Sequence, residues 1–138
     1  MEFVPNLIEY NKVIEVLDYY FESIKTGFSE FCKKHFISEP FLCGNLEGNF
    51  YKFSIDEFYN TIEKAGNLGA KYKYHYDILA LDGNICCVKV IENTVGGTKF
   101  NSFFNLVKID NTWKIVSRVF NSYSLELIIK KKEKKINI

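Results

Sequence analysis

The chain has one tryptophan, one arginine, one methionine and two histidines in 138 residues. A metal centre needs three or four converging ligands, and His35 and His75 lie far apart in sequence, so no metal site and no cofactor is expected. The net charge is only +1, which gives no reason to expect nucleic-acid binding. No apolar run approaches the ~18 residues of a spanning helix. The opening MEFVPNLIEY is acidic and amphipathic, unlike a basic-then-apolar signal peptide. No membrane association is expected, and a cytoplasmic location is. Cys32, Cys43, Cys86 and Cys87 lack CxxC spacing and are expected as reduced thiols. Gly96-Gly97 has no helix pattern after it and reads as a hairpin turn, not a phosphate loop.

Aromatic residues are what the chain has in excess. Thirteen Phe and nine Tyr bring the aromatic share to 17%, enough to line a cavity, fill a dimer interface, or both. At 138 residues one domain is expected, here at 1–124. A Lys-rich tail follows at 125–138, with KKKEKK at 130–135 expected as a solvated end.

The sheet is expected to be organised around Phe100 to Phe120, FNSFFNLVKIDNTWKIVSRVF. Val, Ile, Phe and Trp suit a pleated, half-buried surface. Asp110-Asn111-Thr112 supplies turn chemistry. A three-residue loop there would pair Ile109 with Trp113, Val107 with Ile115 and Asn105 with Ser117. Trp113 and Ile115 would then share a face with Asn105 and Val107. Phe104, Leu106, Arg118 and Phe120 would share the other. A two- or four-residue loop would shift these pairings.

Upstream, helical spacing runs through Leu7, Tyr10, Val13, Leu17, Tyr20, Phe21 and Ile24, with Asn6 as cap and Gly27 as stop. Tyr20 is either core packing or a hydroxyl facing a ligand. A short helix is expected at Ser29 to His35, with Phe28, Phe31, Cys32 and Phe36 inward. Residues 37–53, with Pro40, Gly44 and Gly48, read as an irregular rim holding one or two short strands. Ser54 and Glu57 form an S-x-x-E capping box for a third helix. It would bury Ile55, Phe58, Tyr59 and Ile62. Strands are then expected at Ala70–Leu81 and Ile85–Thr94 before the central hairpin. Three helices followed by an antiparallel meander make an α+β plan with helices on one face of the sheet.

In this order, Tyr19-Tyr20-Phe21-Glu22 with Gly27, Phe36, Ser54, Phe58, Asp82-Gly83-Asn84, Phe104 to Asp110 and Trp113-Lys114-Ile115-Val116 resemble a known superfamily. It is the nuclear-transport-factor-2-like (NTF2-like) one, and within it the SnoaL-like or "putative lumazine-binding" group. The resemblance covers roughly residues 6 to 122. It implies a cone of N-terminal helices packed on a curved antiparallel sheet, and a fold that hosts enzymes, binders and transport factors alike. Relatives often carry an acid in the middle of the penultimate strand, where this chain has Asn101-Ser102.

A ligand wall is expected from Tyr20, Phe58, Tyr74, Tyr76, Asn105 and Trp113, and a homodimer through the convex face of the sheet. His75 and Asp77 alternate onto one face and are either a base with its orienter or an outward pair on the convex side. The leading expectation is a binder of a small apolar or aromatic molecule. The alternatives are a cyclase- or isomerase-type enzyme with a cavity acid or base, and an interaction module without a ligand. An ionisable group in a deep cavity would favour the enzyme.

Overall fold

The structure is a computed structural model that describes residues 3–94 and 98–124. Gly96-Gly97 and the tail from residue 125 lie outside those residues. Helix α1 spans Phe3–Thr26. It buries Val13, Val16, Leu17, Tyr20 and Phe21, a stripe at helical spacing that faces the sheet. The helix begins before Pro5, so Asn6 is an interior residue and not the cap. Pro5 is tolerated there because first-turn amides have no intrahelical acceptor. Gly27 ends the helix with φ 82°. A Cβ there would lie 2.6 Å from the Gly66 carbonyl carbon, so the ends of α1 and the third helix meet at two glycines.

Helix α2 is only Glu30–Lys33. Cys32 and Phe36 are buried as expected, but Phe28 and Phe31 are exposed, because the helix is one turn long and presents a single inward position. Residues 36–53 hold the two strands expected there, β1 (Phe36–Leu46) and β2 (Asn49–Phe53), but β1 is long and the two pair as a regular hairpin. Pro40 sits where the β1 register shifts, between Phe36 and Phe41. Helix α3 (Ile55–Ala65) has the expected capping box, with the Ser54 hydroxyl accepting from the Glu57 amide and the Glu57 carboxylate accepting from the Ser54 amide. It buries Phe58 and Ile62.

A 3₁₀ turn at Gly69–Lys71 precedes β3 (Lys73–Asp82), and β4 (Ile85–Asn93), β5 (Thr98–Ile109) and β6 (Thr112–Ser124) follow. The curved, unclosed six-stranded sheet has the order β2-β1-β6-β5-β4-β3. All neighbours are antiparallel except β1 and β6, which run parallel, with Leu42 opposite Arg118. The chain is therefore not a simple meander. Its last described strand lies in the middle of the sheet.

The β5–β6 turn has two residues, Asp110 and Asn111, at φ 48° and 64°. Such a turn matches the twist of a hairpin. Ile109 pairs with Thr112 and Leu106 with Ile115. Trp113 and Ile115 consequently sit in the core beside Leu106, on the face opposite to the one a three-residue loop gives. A bulge between Asn105 and Leu106 then resets the count, and Asn105 pairs with Ser117 after all. The inner face beyond the bulge carries Phe104, Arg118 and Phe120, all buried. Helix α1 covers the wide part of this face, and α3 stands over its narrow end.

Candidate functional site

Strand β4 alternates Val88, Val90 and Glu92 toward the core. Period two thus sends a carboxylate inward, and Glu92 is 2% exposed. A charge so buried is costly unless it is paired and hydrogen-bonded. Three groups, from α1, β6 and the turn before β3, meet the requirement between them. The Tyr20 hydroxyl of α1 lies 3.2 Å from each carboxylate oxygen. The Tyr72 hydroxyl donates at 2.5 Å to Oε2. Arg118 Nη2 of β6 is 3.7 Å from Oε1. Burial, followed by the Glu92 charge, pushes the Tyr20 phenol well above its ordinary value, with Arg118 opposing. The same two causes raise Tyr72. Both phenols therefore keep their protons at neutral pH and act as donors.

Arg118 is held mainly by rings. Its guanidinium carbon is 4.8 Å from the Phe120 ring centre, 5.5 Å from Phe100, 5.7 Å from Phe58 and 5.9 Å from Phe104. Ring faces attract the cation without consuming its N–H groups. Among the described residues, Arg118 Nε has no hydrogen-bond partner although it is buried.

Glu92, Arg118 and Tyr20 line one end of a cavity of about 490 Å³. Its walls are apolar: Phe58 and Ile62 of α3, Leu42 of β1, Phe53 of β2 and Phe120 of β6. Glu47, Thr61 and Ala65 line it as well and are themselves exposed, which puts the mouth between α3 and the β1–β2 turn. A concave, mostly apolar space with a few converging polar groups is the usual form of a small-molecule site.

The six residues expected as one wall divide among four places. Tyr20 and Phe58 line the cavity. Tyr74 and Tyr76 are on the inner side of β3 but pack on Phe21 of α1, with ring centres at 3.8 and 5.8 Å. Trp113 is in the core, where its Nε1 donates to Glu9 at 2.7 Å. Asn105 is on the outer face, donating to the Ser117 hydroxyl at 3.0 Å. Asn105 does not reach the cavity because it faces outward, and Trp113 because it lies next to the β5–β6 turn, against Glu9 of α1. His75 Nε2 and Asp77 Oδ1 are 3.2 Å apart, but both are exposed on the outer side of the edge strand, away from the cavity.

Glu92, Phe100 and Arg118 are the site residues that sequence reasoning left out. Alternation through Val88 and Val90 was the available signal for Glu92. For Arg118 it was a lone arginine on a face of Phe104, Leu106 and Phe120. Where relatives often carry an acid this chain has Asn101-Ser102, and the neighbouring strand carries Glu92, opposite Phe100, with Val90 opposite Ser102. Among the described residues no three His, Cys, Asp or Glu gather as metal ligands, and no helix is long and apolar enough to cross a membrane.

Comparison with known proteins agrees with this geometry. Aldolase FrzH of Cladobotryum sp is 32% identical over 116 residues, 83% of this chain and 92% of that protein. An NTF2-like protein of unknown function from Shewanella baltica superposes with TM-score 0.77 at 22% identity, over 85% of this chain and 95% of its own. Another from Silicibacter pomeroyi gives 0.78 at 19%, over 86% and 98%. The family described as "Putative lumazine-binding" matches residues 9–121. The chain belongs to that family and has the NTF2-like fold.

Proposed function

We propose that the cavity binds a small, largely apolar carbonyl compound and that Glu92 moves a proton at the carbon next to the carbonyl. One observation carries this reading: a fully buried carboxylate lines an apolar cavity beside an arginine with free donors. A base in a water-poor pocket needs a neighbour that receives the charge it creates. When Glu92 takes a proton it becomes neutral, and Arg118 loses one counter-charge as the substrate gains another. The buried charge is unchanged across the step. The similarity to a protein named an aldolase supports the reading, because bond formation or cleavage of the aldol type proceeds through an enol or enolate.

The test is exchange of the α-hydrogens of 2-acetonaphthone in deuterated water, followed by mass spectrometry. Wild-type protein is expected to speed deuterium uptake, and Glu92→Gln to lower the rate by about 10²–10⁴-fold. Equal rates with and without the protein would remove the catalytic reading. A binder without turnover is the second reading. It is favoured by the hydrogen bonds from Tyr20 and Tyr72, which already occupy both carboxylate oxygens of Glu92. Binding of the ketone without exchange would select it.

The active form proposed is a homodimer through the outer face of the sheet, where Phe103 and Val119 form an exposed cross-strand pair. Four free cysteines fit a cytoplasmic setting.

A further inference from the structure

Two buried polar atoms on the inner face of β5 and β6 have no partner among the described residues: Arg118 Nε and Ser102 Oγ. They belong to one neighbourhood. Phe104 pairs with Arg118 and Ser102 with Phe120, so Ser102 is the diagonal cross-strand neighbour of Arg118 on the same face. Buried donors without partners are rare, and each calls for an occupant. Arg118 is 7% exposed and Ser102 1%. The rings around the guanidinium leave its N–H groups unspent, and its one ionic contact is long at 3.7 Å.

We infer that Arg118 is an oxyanion subsite, with Ser102 as its polar cross-strand neighbour outside the cavity lining, and that the ligand is a flat, enolisable aromatic compound presenting one oxygen that carries full negative charge in the enolate. The inference rests on the cavity reading above and narrows its ligand class. Phe58, Phe100 and Phe120 line the cavity around Arg118 and suit a flat ring system. The Glu92 carboxyl lies 3.7 Å from Arg118, so an anion entering beside Arg118 meets an acidic side chain, and the subsite is expected to take up a proton with it. The uncharged ketone needs no such proton.

The experiment uses 2-naphthoate as a stable anionic probe and 2-acetonaphthone as the uncharged one, measured by titration calorimetry in two buffers of different ionisation enthalpy. Wild-type protein is expected to take up close to one proton with naphthoate and none with the ketone. Arg118→Lys keeps the charge but lacks Nε–H, and is expected to lose about tenfold or more in naphthoate affinity. Its ketone affinity should change much less. Ser102→Ala is the milder companion variant and should weaken naphthoate alone. Glu92→Gln should abolish the proton uptake and tighten naphthoate. Unaltered naphthoate affinity in a folded Arg118→Lys and in Ser102→Ala would overturn the subsite while leaving the ligand cavity standing. Equal loss of both probes would assign Arg118 a merely structural role and overturn the subsite. Failure of both probes to bind wild-type protein would overturn the subsite together with the cavity reading.

Discussion

At the scale of single residues, the most connected polar group outside the cavity is Glu9. Lys108 Nζ donates to its Oε1 at 2.7 Å and Trp113 Nε1 to its Oε2 at 2.7 Å. One carboxylate thus ties α1 to both arms of the β5–β6 hairpin. The Lys108 hydrogen bond first, then the Trp113 one, hold Glu9 below its ordinary 4.5. Its stabilisation is therefore complete above that value and is lost as pH falls through the lowered one. Glu9→Ala leaves the Trp113 N–H without its acceptor and is expected to cost about 1–3 kcal/mol. In urea unfolding, the gap between Glu9→Gln and wild type should be wide at pH 6 and shrink steadily as pH falls below 4.5. A constant gap would show that the charge on Glu9 contributes nothing. Such contacts were hard to anticipate from the chain alone. The Trp113 indole was expected at the ligand, yet its face depends on whether the turn holds two residues or three. Glu92 was left out although the signal was present, since alternation alone puts it beside Val88 and Val90.

At the scale of elements, local signals were legible and distant pairings were not. The capping box of α3 was readable because Ser54 and Glu57 are three residues apart and satisfy each other. The stop at Gly27 was readable because its φ of 82° suits glycine. The length and pairing of strand β1 were not, because Pro40 and Gly44 argue against a regular strand, and its parallel partner β6 is distant in sequence. The structure shows what Gly44 is for. An added Cβ would lie 2.0 Å from the Phe120 carbonyl oxygen and 2.8 Å from the Phe120 ring. Only a residue without a side chain lets β1 approach β6 at this point. Gly44→Ala should therefore destabilise by about 3 kcal/mol, lowering the melting midpoint by about 10 °C. A calorimetric scan within two or three degrees of wild type would mean that the two strands separate here at little cost.

At the scale of the whole molecule, helices cover one face of the sheet and, among the described residues, no element covers the other. Outward on that side are Phe103, Val119, Ile109 and Ile85, each large, apolar and exposed. Large exposed apolar side chains gathered on one face mark an association face. Sedimentation analysis is expected to give twice the monomer mass for wild type. Val119→Lys, which puts a charge at the Phe103 pair, should shift the population toward monomer. A wild-type monomer at all concentrations would end the dimer proposal. The strand order also sets the order in which the molecule is completed. Strand β6 is the last of the described strands to be synthesised, yet it separates β1 from β5 and carries Arg118 opposite Leu42. A growing chain that has made only β1 to β5 holds two sheet fragments with nothing between them. Its aromatic surfaces stay open until β6 enters. Loop-closure entropy makes such long-range docking slow, and half-finished chains of this type are prone to stick to one another. The cavity is thus a late product of folding, and the nascent chain is at its most vulnerable just before β6 is made.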